Sequence, residues 1–324
     1  MKIHKLLALT LPLLLCLSLS NATPGDAVKF HAKRAKFLLK FKDEVTPYDE
    51  LAVFVLPAET LILETQLDSA QDVYEVKASA GHLIPTGRHQ WRWQAPRDKG
   101  LYRIKIKNTM VDDSITLHVF VMVPFGQIQG EQLNGYRIGR YPSHPLKDNP
   151  AYTRPRGFIE VTRENEDTHV SPHFKLKQFL CKQPGGYPKY LVLRERLLLK
   201  LEAILEKVNE NGFRCETFNV MSGYRTPYYN RAIGNTTTYS RHNWGDAADI
   251  FIDNDHDGVM DDLNHDDRID KRDAAVLYNL IEKMQRSPGF KIFDGGLGMY
   301  DSTSATGRLC MWTSEDTRPG GNPG

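Results

Sequence analysis

A histidine and an aspartate lie seven residues apart in the segment SRHNWGDAAD, residues 240–249. The imidazole of His242 and the carboxylate of Asp249 are ligands that suit Zn²⁺. The small residues between them allow a tight turn and leave room beside a metal. The apolar run 250–252 predicts a buried strand that starts near Asp249, with His242 in the preceding loop. Taken alone, such a pair is more often a surface pair or a hydrogen-bonded core histidine.

Two further motifs stand on either side of this segment. SGYR occupies residues 222–225, and GGLGMY occupies residues 295–300. The ordered set SGYR, SxHxxGxAxD and GGxGxY resembles the zinc D-Ala-D-Ala carboxypeptidase family, which shares a fold with lysostaphin-type peptidases and the sonic hedgehog signalling domain. The resemblance implies an α+β zinc-peptidase domain with a central antiparallel sheet.

The resemblance also assigns roles to single residues. His242 and Asp249 would bind zinc, and Arg225 would hold the terminal carboxylate of the substrate. A guanidinium suits that task because it binds both carboxylate oxygens in a fork. The alternative is a structural arginine that ties a loop to backbone carbonyls. The other motif residues implicated in the site are Ser222, Tyr224 and Ser240.

The third zinc ligand of that family is missing. A catalytic zinc needs three protein ligands and one open position, and the family's third is the histidine of a closing HxD motif. No histidine follows His265 in this sequence. The family's general base is a carboxylate near that ligand, so no residue is assigned as the base here.

The codons around Cys310 offer an explanation. Methionine and tryptophan have one codon each, so the run CMWT, residues 310–313, reads TGY-ATG-TGG-ACN. One nucleotide earlier, the reading is NTG-YAT-GTG-GAC, which encodes an apolar residue, His or Tyr, Val and Asp. Our hypothesis is that residues 308–324 are a frameshifted, poorly packed tail that replaced an ancestral HVD. The alternative is coincidence.

The segment 253–273 is an acidic insertion with the spacing of calcium loops. Oxygen ligands at alternate positions, followed by glycine at position six, are typical of such loops. In the first frame the acidic residues fall at positions one, three, five and nine: Asp253, Asp255, Asp257 and Asp261. Gly258 stands at position six. Asn264 stands at position twelve, where a bidentate glutamate is usual, and this departure weakens the first loop.

A second frame overlaps the first and resembles the calcium loops of dockerin modules. Its candidate ligands are Asp262, Asn264, Asp266, Asp270 and Asp273. An amphipathic helix is predicted over 273–286, directly after the loop. Asp267 replaces the usual glycine at position six. Because so many carboxylates repel one another without a cation, the insertion predicts at least one bound Ca²⁺; the alternative is a solvated acidic loop.

The whole chain has the composition of an ordinary globular protein. Its 324 residues carry a net charge of +2, with 40% hydrophobic and 25% charged residues. This length allows two domains, and neither a basic patch nor a motif predicts nucleic-acid binding. We expect a monomer.

The first 22 residues predict an export signal. A short basic start precedes an apolar run over 6–19, which is too short for a good membrane span. Residues 20–22, SNA, fit a cleavage site. The mature protein is therefore expected in the periplasm or secreted, without membrane contact. Acylation at Cys16 and an uncleaved anchor are the alternatives.

Residues 23–126 predict a β domain. Strand-like runs at 37–41, 51–56, 100–106 and 115–121 are separated by polar turns and favour an immunoglobulin-like sandwich. Trp91 and Trp93 would share one strand face. Such a pair either packs in the core or stacks on a sugar.

The rest of the chain divides into a connector and a second domain. Residues 127–170 predict an extended, mostly irregular connector, and 171–307 the zinc D,D-peptidase-like domain. Its clearest helix is predicted over 193–209, with a charged outer face in solvent. Cys181 and Cys215 flank this helix and form either a disulfide or two buried thiols.

These observations together predict a zinc-dependent D,D-carboxypeptidase that hydrolyses the D-Ala bonds of peptidoglycan stem peptides. The missing ligand predicts low activity for the chain as printed. A non-catalytic, calcium-stabilised cell-wall binding protein is the alternative. A hedgehog-like interaction domain is a third possibility, which the export signal disfavours.

Overall fold

The computed structural model describes residues 30–66, 69, 71–293, 295–300 and 308–312. The predicted signal peptide and Cys16 lie outside these residues. Within them the protein is mostly β, with several antiparallel sheets. No helix in the described ranges is long and apolar enough to cross a membrane.

The first part of the chain folds into two sheets that share one core. The strands are β1 (Arg34–Phe41), β2 (Glu44–Tyr48), β3 (Glu50–Val55), β4 (Thr60–Gln66), β5 (Tyr74–Ala78), β6 (His82–Gly87), β7 (Gln90–Gln94), β8 (Gly100–Asn108) and β9 (Asp113–Val121). One sheet has the order β2-β1-β4-β7-β6 and the other β3-β9-β8-β5. Only the pair β3–β9 is parallel among these strands. The four predicted strand runs are therefore confirmed.

Alternating burial in these strands explains the shared core. In β1, Phe37, Leu39 and Phe41 are buried at every second position, as expected for a strand with one apolar face. Trp91 and Trp93 share the inner face of β7 and are both buried. Their packing in the core is confirmed, and sugar stacking is wrong for these two side chains.

The predicted connector, 127–170, is mostly irregular, as expected, and short strands lie within it and on either side of it. The middle strands are β10 (Val123–Pro124), β11 (Gln132–Leu133), β12 (Tyr136–Arg137), β13 (Gly157–Val161), β14 (His169–Ser171), β15 (Phe174–Lys175) and β16 (Lys189–Leu191). β13 lies between β10 and β16 in a three-stranded sheet. Short 3-10 turns at Phe125–Gln127, Leu146–Asp148, Pro150–Tyr152 and Leu176–Phe179 complete this region.

The last part of the chain is α+β. Its helices are α1 (Glu195–Glu210), α2 (Pro227–Ala232) and α3 (Lys271–Gln285), and its strands are β17 (Asn219–Ser222), β18 (Ala247–Phe251), β19 (Leu297–Tyr300) and β20 (Arg308–Trp312). These strands form an antiparallel sheet of order β17-β18-β20-β19. 3-10 segments lie at Arg241–Trp244 and Pro288–Phe293.

β20 falls inside the segment that the frameshift hypothesis treats as a poorly packed tail. Its backbone is hydrogen-bonded to β18 on one side and to β19 on the other. The backbone of 308–312 is therefore part of the sheet, whereas the packing of its side chains stays a prediction. Residues 313–324 lie outside the described part of the chain.

The prediction that the charged outer face of α1 lies in solvent is wrong for three of its residues. Lys200, Glu202 and Glu206 are buried rather than solvated, because β14, β2 and β3 pack against this helix. Glu202 accepts hydrogen bonds from the backbone amide of His173 at 2.9 Å and from its Nδ1 at 2.7 Å. Glu206 accepts from Arg34 Nη2 at 2.6 Å. These polar contacts join the β part of the chain to α1.

Cys181 and Cys215 are free, buried thiols. Burial raises the pKa of both, that of Cys215 to about 12. A buried thiol with a raised pKa is poorly reactive, so the structure favours the free-thiol alternative over a disulfide.

We predict that Glu202→Ala lowers the free energy of unfolding by about 3 kcal/mol, because it leaves the buried polar groups of His173 without their acceptor. Urea unfolding measures this change. The control is Glu210→Ala on the same helix, which removes only an exposed pair with Lys207 and should cost less than about 0.5 kcal/mol. Equal losses in both variants would contradict the prediction.

Candidate functional site

The SGYR motif begins at the last residue of β17 and continues into a loop that contacts the Leu176–Phe179 3-10 turn. Ser222, the last residue of β17, is paired in register with Asp249 of β18. The backbone of the next residue, Gly223, lies close to the backbone of Phe179, since a Cβ on Gly223 would lie 2.7 Å from the Phe179 Cα. The amide of Tyr224 donates to the Phe179 carbonyl at 3.0 Å. These contacts fix the direction in which Arg225 leaves the strand.

The second motif supplies a 3-10 turn followed by a strand. His242 lies in the Arg241–Trp244 turn, which ends at Gly245 with a φ of 70°. A Cβ on Gly245 would lie 2.3 Å from the Val192 carbonyl oxygen, so only glycine fits this position. Asp249 follows as the third residue of β18, close to the predicted strand start.

His242 and Asp249 are buried and face each other. The carbonyl oxygen of Gly223 lies 2.7 Å from His242 Nδ1, and because a carbonyl only accepts, Nδ1 carries the proton. The other ring nitrogen, Nε2, lies 3.4 Å from Asp249 Oδ1. Two ligand atoms of a tetrahedral zinc stand about 3.4 Å apart when each is about 2.1 Å from the metal. A carbonyl that orients the imidazole is a usual outer partner of a metal ligand.

Arg225 closes this cluster. Its Nη2 donates to Asp249 Oδ2 at 2.7 Å, and its Nε donates to Ser222 Oγ at 2.7 Å. Its backbone amide donates to the His242 carbonyl at 3.1 Å. The structure therefore brings four predicted site residues together: Ser222, Arg225, His242 and Asp249.

Tyr224 and Ser240 take other positions. Tyr224 is 1% exposed, and its hydroxyl lies 2.9 Å from that of Tyr141, which in turn donates to the Asn243 carbonyl at 2.7 Å. Burial raises the pKa of both tyrosines well above the usual value. Tyr224 thus connects the SGYR loop, through Tyr141, to the 3-10 turn that carries His242. Ser240 precedes the 3-10 turn, where its carbonyl accepts from the Asn243 amide at 2.9 Å.

The sequence did not predict a role for Asp246, although this residue lies inside the second motif. Asp246 is 1% exposed and forms a buried ion pair with Arg241, with Arg194 Nε 3.7 Å away. The acidic residue four positions after His242 was the available signal. Tyr141 had no such signal, because its partners are distant in sequence.

The third zinc ligand is not supplied by the described side chains. Within the described part of the chain, the only cluster of three or more potential ligands is Asp253, Asp255 and Asp261, away from His242 and Asp249. The backbone of β20 passes beside β18, with position 310 opposite Asp249 and position 311 opposite Ala248. The side chains that the structure describes therefore do not complete a catalytic zinc site.

The acidic insertion gathers only some of its predicted ligands. Asp253, Asp255 and Asp261 each place a carboxylate oxygen within 4.8 Å of the others. Burial raises the pKa of Asp261, and the charges of Asp255 and Asp253 raise it further. The remaining candidates lie outside this cluster: Asp257, Asp262, Asn264, Asp266, Asp270 and Asp273.

No protein-family model matches this chain, and no curated protein matches it. The resemblance therefore rests on the three motifs and on the residues that they bring together.

We predict that Gly245→Ala lowers the free energy of unfolding by more than about 3 kcal/mol, because it adds a backbone clash to the strain of a positive φ. Gly234→Ala is the control, since Gly234 has a φ of 81° with open space around it. That variant should cost about 1 kcal/mol. Chemical unfolding of both variants tests the difference, and similar losses would show that the Val192 contact is unimportant.

Proposed function

We propose that this chain has the fold of a zinc D,D-carboxypeptidase that acts on peptidoglycan stem peptides. We further propose that a protein of this sequence has low peptidase activity. The single observation that carries the proposal is the buried pair of His242 Nε2 and Asp249 Oδ1 at 3.4 Å, with Nδ1 anchored on the Gly223 carbonyl. A core histidine that only needed a hydrogen-bond partner would not require a carboxylate at the spacing of two zinc ligands. Two protein ligands hold zinc weakly, which limits turnover.

Arg225 supports the choice of a carboxypeptidase. Its side chain is 12% exposed, and its guanidinium lies beside Asp249. A terminal carboxylate that binds there in a fork replaces one of the bonds to Ser222 or Asp249. An endopeptidase has no terminal carboxylate to recognise at this point.

The other parts of the proposal follow from the sequence. The first part of the chain is an immunoglobulin-like sandwich, in keeping with two sheets around a shared core. The protein is exported to the periplasm or secreted, where it acts as a monomer on stem peptides and binds neither nucleic acid nor membrane.

We predict that the purified chain contains well below one zinc per molecule and releases little D-alanine from a peptide ending in D-Ala-D-Ala. Metal analysis after dialysis against micromolar zinc, together with a D-alanine assay, measures both quantities. Stoichiometric zinc with rapid turnover would contradict the incomplete site.

We predict from the sheet register that Cys310→His strengthens zinc binding, although the shifted reading frame aligns its histidine codon with Met311. Directly opposite residues of an antiparallel pair share a face of the sheet, so a histidine at position 310 would join Asp249. Zinc affinity, measured by competition with a chelating dye, should rise by roughly tenfold or more relative to Cys310→Ala.

The matched control is Met311→His, which places the new imidazole opposite Ala248, on the other face, and should not raise zinc affinity. Because a thiolate is itself a zinc ligand, Cys310→Ala is measured alongside to establish the two-ligand baseline. Equal gains at positions 310 and 311 would argue against a zinc position beside Asp249.

A second candidate function is a non-catalytic protein that binds the cell wall. The incomplete zinc ligand set and the separate acidic cluster favour it. Incubation with purified sacculi distinguishes the two: a wall-binding protein sediments with the sacculi without releasing soluble fragments, whereas a peptidase releases D-alanine.

A further inference from the structure

The carboxylate of Asp253 is buried, with one oxygen left without a partner. Asp253 lies two residues beyond the end of β18 and is 5% exposed. Its Oδ2 accepts from Asn219 Nδ2 at 2.8 Å and from the Gly258 amide at 3.2 Å. Its Oδ1 has no hydrogen-bond partner among the residues that the structure describes. An unsatisfied buried charge is costly, so this oxygen indicates a ligand.

Two more carboxylates converge on the same place. Asp255 and Asp261 bring oxygens within 4.8 Å of that of Asp253 and of each other. Oxygens on opposite sides of a Ca²⁺ stand at most about 5 Å apart, because each is about 2.3–2.6 Å from the ion. The loop is closed by the Asp261 amide, which donates to the Ile252 carbonyl at 2.9 Å. The three carboxylates can therefore surround one cation.

We propose that Asp253, Asp255 and Asp261 form a structural Ca²⁺ site at the end of β18. An all-oxygen, triply acidic set selects a hard cation over zinc, which prefers nitrogen and sulfur. The ligands stand at positions one, three and nine of the first calcium-loop frame. Gly258, at position six, has a φ of 84°, which gives the sharp turn that such loops need.

Asn254 donates to Asp261 in the first frame, but the carboxylates of the second, overlapping frame are paired with a guanidinium and with helix amides. Asp266 and Asp270 each pair with Arg272 at 2.8 Å. Asp273 Oδ1 accepts from the amides of Leu263 and Asn264, and its Oδ2 accepts from the Asp270 amide. This frame therefore caps α3, and the cation belongs to the first frame.

The site also has a structural consequence. Asn219, which holds Asp253, is the first residue of β17 and is paired with Phe251 at the end of β18. A cation on Asp253 thus fastens the two strands that carry Ser222 and Asp249. Calcium should raise the thermal midpoint, because a ligand that binds only the folded state stabilises it by mass action.

The test is calorimetric titration of the chelator-treated full-length chain with CaCl₂. We expect one Ca²⁺ per chain and a higher thermal midpoint when calcium is present. Asp255→Asn should weaken calcium binding by roughly tenfold or more. Asp255 is exposed, and its own contact is a 3.3 Å bond from the Asp257 amide, so the variant keeps the fold, which circular dichroism verifies.

Asp266→Asn is the matched control, with the same chemical change in the second frame, and should leave calcium affinity unchanged. Loss of binding in Asp266→Asn but not in Asp255→Asn would overturn the assignment, as would a Mg²⁺ titration that saturates the site equally tightly. His242→Ala should retain calcium, which makes failure of this site distinguishable from failure of the zinc proposal.

Discussion

The antiparallel pairing of β17 with β18 is the constraint on which both candidate sites depend. One end of the pair sets Ser222 opposite Asp249, and the other sets Asn219 opposite Phe251, just before Asp253. A one-residue slip would turn Asp249 to the other face and remove it from His242. The same β17–β18 pairing therefore positions both the His242–Asp249 pair and the acidic cluster.

That register is held by contacts made away from the two sites. Gly223 and Gly245 allow the backbone to pass within reach of Phe179 and Val192, where any side chain would collide. The Gly223 carbonyl then orients His242. The close backbone packing at Gly223 and Gly245 thus determines the orientation of the His242 imidazole.

The sequence predicted those parts of the molecule that local pattern controls. The strand runs of the β part, the helix α1 and the convergence of His242 with Asp249 were all accessible from periodicity and motifs. The buried face of α1 was not, because Glu202 and Glu206 look solvated until their distant partners are known: His173 in the turn between β14 and β15, and Arg34 of β1.

The acidic insertion shows the same division. Spacing identified a pair of overlapping calcium frames but could not choose between them, since both place carboxylates at alternate positions. The choice depends on Arg272, which occupies Asp266 and Asp270, and on Asn219, which comes from another strand. Arg272 lies inside the insertion but at no ligand position, and Asn219 is distant in sequence, so the ligand spacing alone does not separate a cation site from a helix cap.

Arg225 explains how the fold tolerates the buried carboxylate of Asp249. Asp249 is 2% exposed, and a buried carboxylate without a positive partner would be strongly destabilising. Arg225 supplies that charge at 2.7 Å and is itself held by Ser222. The strand that carries Asp249 is thus stabilised without a metal, whereas Asp253 has an oxygen that no described side chain satisfies. The two places therefore differ: Arg225 balances the charge of Asp249, whereas the proposed cation would satisfy the free oxygen of Asp253.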